Sequence, residues 1–141
     1  MTQRAFTAAF LGVALLTGVG ACGPGINATT PVEPKSECID LTGAYRANFT
    51  TSCGQSATTL PVSVSQAACT FTTTIPGLGG LSGKIVKDQA AVTLEFASPC
   101  SGQATGTATI ATGRIDAAFA GTQSGTGACC SVVSGTVSIF K

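Results

Sequence analysis

The chain has 141 residues, of which 9% are charged, with no histidine and a formal net charge of +1. That balance argues against nucleic-acid or other polyanion binding, which needs a basic stripe to neutralise phosphates. It also removes histidine as a general base or metal ligand. Low charge together with 18 glycines is compatible with disorder, but recurrent β-branched and aromatic residues argue for a packed domain.

Residues 1–4 are polar and include Arg4, whereas Ala5 to Val19 is uncharged and rich in Phe6, Phe10, Leu11, Val13, Leu15 and Leu16. Small Gly20 and Ala21 then precede Cys22. This is the layout of an export signal. The apolar stretch of about 15 residues falls short of the roughly 20 that a membrane-spanning helix needs.

Val19-Gly20-Ala21-Cys22 resembles the lipobox of bacterial lipoproteins: an aliphatic residue, two small residues, then cysteine. The resemblance covers residues 1–22 only. It implies a signal peptide over 1–21, a diacylglycerol on the Cys22 thiol, and acylation of the new amino terminus. Two or three acyl chains anchor stably where a single chain binds only marginally. Gly23 stands where, by the same likeness, an aspartate retains lipoproteins in the inner membrane. The implied location is the bacterial cell envelope: the outer membrane of a two-membrane cell, or the outer face of a single membrane.

Residues 23–37 are rich in Pro, Gly and Thr and lack periodicity. With Cys22 they read as a lipidated tether (22–37) that reaches on the order of 45 Å if extended at about 3.1 Å per residue. The sequons at Asn27 and Asn48 are read as chance.

From about Gly43 the pattern becomes short β-type runs separated by turn signals. The expected strands are Ala44 to Thr50, Thr58 to Ser65, Ala68 to Ile75, Gly80 to Lys87, Ala90 to Ala97, Gly102 to Ile110, Arg114 to Thr122 and Ser131 to Phe140. The alternation is clearest where Val92, Leu94 and Phe96 interleave with Thr93, Glu95 and Ala97. Pro61 signals an edge or a bulge. Gly77-Leu-Gly79-Gly80 is only superficially like a phosphate loop, with no following Lys-Ser/Thr or helix, and reads as a hairpin turn. The fold class is therefore all-β: one domain over 38–141, an antiparallel meander of about eight strands. Closure as a small up-and-down barrel is favoured over a two-sheet sandwich.

Apart from Cys22 there are six cysteines: Cys38, Cys53, Cys69, Cys100, Cys129 and Cys130. An even number in a small exported domain reads as a disulfide framework, and no Cys-x-x-Cys spacing suggests metal. In an up-and-down meander the connections alternate between two ends. Cys38 and Cys69 then share the lower end, and Cys53, Cys100, Cys129 and Cys130 the upper. Bridged Cα atoms lie within about 7 Å, so Cys38 pairs with Cys69. Cys53 and Cys100 take one each of Cys129 and Cys130, in an order left open.

The acids Asp40, Asp88, Glu95 and Asp116 form no catalytic motif, and Glu95 and Asp116 read as solvated strand positions. No catalytic residues, metal or cofactor are implied. Gln55, Gln103 and Gln123 fall in the upper loops, where they read as ordinary exposed polar residues. The expected role is a lipid-anchored, non-enzymatic structural or interaction protein of the envelope. The alternative is a binding module for a small apolar ligand, a glycan or a protein, using the barrel interior or the upper loops.

Overall fold

The computed structural model describes residues 38–127, 129 and 131–141. The signal peptide, Cys22, the tether and Cys130 lie outside the described residues. Eight antiparallel strands form the domain: β1 (Gly43–Thr51), β2 (Ser56–Ala67), β3 (Thr70–Ile75), β4 (Gly79–Val86), β5 (Gln89–Phe96), β6 (Cys100–Ala111), β7 (Arg114–Gly125) and β8 (Val132–Phe140). They close as a barrel in sequence order, β8 returning to β1 through Arg46↔Phe140 to Thr51↔Gly135. All eight expected strands are present, and the barrel rather than the sandwich is the architecture. Each strand's bounds shift by one to three residues at one or both ends: β3, for example, begins at Thr70 because Ala68, at φ 51°, turns the chain with Cys69, and Cys100 opens β6 rather than preceding it.

Strand alternation decides the two faces of the wall. Inward positions such as Phe71, Leu81, Leu94, Ile115 and Ile139 are fully buried, while outward neighbours such as Thr72, Lys84, Glu95 and Thr136 are exposed. Apolar inside and polar outside is the reverse of a barrel that spans a bilayer.

Eight strands leave an interior just wide enough for side chains to fill, and the register shows how it is filled. One lateral row runs Phe71, Gly83, Val92, Gly106, Phe119, Gly135 around six consecutive strands. Large and small residues alternate, so that each ring occupies the space a neighbouring glycine vacates. A Cβ added to Gly83 would stand 2.6 Å from Phe71 Cε1, and one added to Gly135 would stand 2.6 Å from Phe119 Cζ. Above this row lie Val64, Thr73, Leu81, Leu94, Ala104, Gly121 and Val133. Thr73 is buried at 6% exposure, but its hydroxyl donates to the Ser63 carbonyl at 2.9 Å. Leu41 and Leu78, both buried, close the lower and upper ends.

The weakest seam is β2–β3, whose ladder runs only from Val64↔Thr73 to Ala67↔Thr70. Over its first half β2 pairs with β1 alone among the described residues, and there the register slips between Ala47 and Phe49. Pro61 lies in that half, next to the bulge. Both sequence signals, edge and bulge, are realised at one place.

Candidate functional site

The disulfides knit the two ends of the barrel separately. At the lower end Cys38 is bridged to Cys69, with Cα atoms 5.6 Å apart. At the upper end Cys100 is bridged to Cys129, also at 5.6 Å, fixing the start of β6 to the β7–β8 connection. Cys53 is disulfide-bonded as well. The pairing of Cys38 with Cys69 matches the expectation from topology. Of the two open arrangements, Cys100 with Cys129 is the one found.

Around these bridges the upper connections hold each other through neutral groups. The Ser52 amide donates to the Ser134 carbonyl at 2.8 Å, and the Ser134 amide to Ser52 Oγ at 3.0 Å, pinning the β1–β2 turn to β8. Gln55 accepts the Thr51 amide through its carbonyl at 2.8 Å. Ser101 Oγ and Ser124 Oγ lie 3.2 Å apart across β6 and β7.

Gln123 departs from its expected role. It is part of β7, not of an exposed loop, and is buried at 5% exposure with its Nε2 donating to Cys53 Sγ at 3.3 Å. The misreading arose because β7 continues to Gly125, three residues past the point where apolar alternation stops. Gln103 is exposed on β6, and Gln55 is half-buried in its turn. The three glutamines therefore do not converge on one surface site.

The charged side chains are distributed unevenly, which composition alone conceals. Residues 47–83, 96–113 and 117–140 carry none. Asp40, Lys87, Asp88, Arg114 and Lys141 flank the lower ends of strands, and Arg46, Lys84 and Asp116 lie a short way up from them. Only Glu95, one residue from the upper end of β5, belongs to the upper half. It borders an open groove of about 380 Å³ together with Ser63, Ser65, Thr72, Thr74 and Ser82.

At the lower end, Arg114 forms an ion pair with Asp116, whose Oδ1 also accepts Ser138 Oγ at 2.7 Å. The hydrogen bond from Arg114 holds the Asp116 carboxyl below its ordinary value against the opposing effect of burial, with lesser help from the Ser138 hydrogen bond and the Arg114 charge. The Thr42 amide lowers Asp40 in the same way. Both carboxylates are engaged by these hydrogen bonds at exposed or half-buried positions. Tyr45 is buried beneath this end with Lys141 Nζ 5.1 Å from its ring centroid. Its hydroxyl has no hydrogen-bond partner among the described residues.

Among the described residues no three His, Cys, Asp or Glu side chains converge on a metal-sized site. The chain matches no protein-family model, no curated protein and no solved structure.

Proposed function

We propose that this protein is a lipid-anchored component of the bacterial envelope that acts through its outer surface, as a non-enzymatic structural or interaction module. The observation that carries the reading is the filled interior. Phe71 and Phe119 occupy the space opposite Gly83 and Gly135, so the barrel offers its inside to its own side chains. A ligand carrier of this size needs that volume free.

What remains for contact is the wall and the upper end, where loops are held by bridges and neutral hydrogen bonds. Depletion of charge and rigid preorganisation both favour a protein or glycan contact over an ionic one. The anchor rests on Cys22 and its lipobox-like context. Cys22→Ser is expected to move the protein from the membrane to the soluble fraction while leaving thermal unfolding of the barrel unchanged. Continued membrane retention would remove the anchoring claim. For the contact itself, photocrosslinkers placed at Thr126 and at Ala91, on opposite ends, are compared in intact cells. A discrete adduct from Thr126 alone supports an upper-end partner, and none from either position points to a passive structural role.

A further inference from the structure

We propose that the lower end of the barrel rests against an anionic lipid surface, which holds the upper end, where no basic residue lies, away from the membrane. This rests on the lipid-anchored reading above. All five basic residues of the domain, Arg46, Lys84, Lys87, Arg114 and Lys141, belong to the lower part, against three acids, Asp40, Asp88 and Asp116. Lys87 and Asp88 make the β4–β5 turn, Arg114 opens β7, and Lys141 follows β8. Lys84 is level with Thr70, the first residue of β3, and Arg46 with Phe140, the last of β8.

Of the acids, Asp116 is neutralised by Arg114 and Asp40 is turned to the Thr42 amide. Arg46, Lys84 and Lys87 keep exposed side chains. Beside Lys87, at the tip of its hairpin, Val86 is 64% exposed. An apolar side chain next to an ammonium suits the headgroup boundary, where one seeks hydrocarbon and the other phosphate.

A second observation, independent of charge, points the same way. The described chain begins at Cys38, tied by its bridge to Cys69 at this same end, so the connection toward Cys22 leaves from the cationic pole. Each basic residue close to an anionic leaflet multiplies partitioning by roughly fivefold. With the anchor already supplying a high local concentration, a net excess of two is enough to orient the barrel.

The test uses the barrel from Cys38 onward, because every residue of its core lies between Leu41 and Ile139. It is sedimented with vesicles of phosphatidylcholine, alone or mixed equally with phosphatidylglycerol. Retention is expected to be roughly 25-fold higher on the anionic vesicles, for a net excess of two charges at about fivefold each, and to vanish at high salt, which screens exposed charge. The pair K84E/K87E should reduce it to the zwitterionic level with an unchanged melting profile, while Q103E, on the upper half of β6, should leave it unaltered. Equal retention on both vesicles, indifference to K84E/K87E, or an equal loss from Q103E would each overturn the proposal. Fractionation of Cys22→Ser cells reads the anchor alone, so either claim can fail without the other.

Discussion

Gly83→Ala probes the interior row most directly. The new methyl would stand 2.6 and 2.8 Å from Phe71 Cε1 and Cζ and 2.9 Å from Val92 Cγ1. These are side chains packed in the core, at 0% and 3% exposure. Overpacking of this kind costs about 1–3 kcal/mol, which for a domain of this size lowers the melting temperature by roughly 4–20 °C. The chain has no tryptophan and one tyrosine, so urea unfolding is best followed by far-ultraviolet circular dichroism, reading the midpoint at constant slope. Phe71→Leu removes the clash, and the double variant should be more stable than the two single losses predict, by a coupling of about 0.5–3 kcal/mol. Gly80→Ala is the control. It sits three residues away on the same strand, with nothing within 4 Å of the added Cβ, and should be neutral or stabilising by about 0.5 kcal/mol. If Gly83→Ala and Gly80→Ala behave alike, the interior is not packed as the register implies.

The Cys38–Cys69 bridge spans 31 residues, so replacing both with Ala should cost about 3–4 kcal/mol from the loop entropy returned to the unfolded chain; an unchanged urea midpoint would contradict this. Non-reducing peptide mapping should recover Cys53 linked to Cys130, since Cys129 is taken by Cys100, and a Cys22 adduct would refute it. The folded Asp116 carboxyl lies below its ordinary value, so its contribution is present above the carboxylate range and lost as pH falls through the folded value. Asp116→Asn should therefore flatten the acid limb of the stability curve below about pH 4, and superimposable curves would rule the pair out. Pro61→Val restores an amide to the half of β2 that pairs with β1 alone. Sedimentation should then detect self-association through that edge, and a strictly monomeric variant would show that the bulge protects it unaided.

The fold was legible because this chain alternates almost without interruption. Val92, Leu94 and Phe96 point inward and Thr93 and Glu95 outward, as a half-buried strand demands, and even the proline fell where the seam is weakest. Register was not legible. Each alternating strand specifies which face is buried, but not which residue on the next strand stands beside it. The pairing of Phe71 with Gly83, and of Phe119 with Gly135, emerged only with the ladders. Gln123 was misplaced for a related reason: a buried amide bonded to a cystine sulfur has the composition of a loop.

The charge segregation belongs to the same class of hidden order. Along the chain, Arg46, Lys84, Lys87, Arg114 and Lys141 are scattered and nearly balanced by acids, and a net charge of +1 suggests no electrostatic partner at all. An up-and-down meander reverses direction at each turn, so positions just before and just after the lower turns meet in space while being far apart in sequence. A polar gradient from one end of the barrel to the other is then written as an unremarkable sprinkling of charge. Mean composition speaks only to the overall balance of charge. It could not reveal an end-on arrangement, since that depends on strand parity rather than on local density. For a barrel whose interior is occupied by its own rings, the ends are where recognition has room to act, and here the two ends differ in charge, in bridging and in the side from which the chain enters.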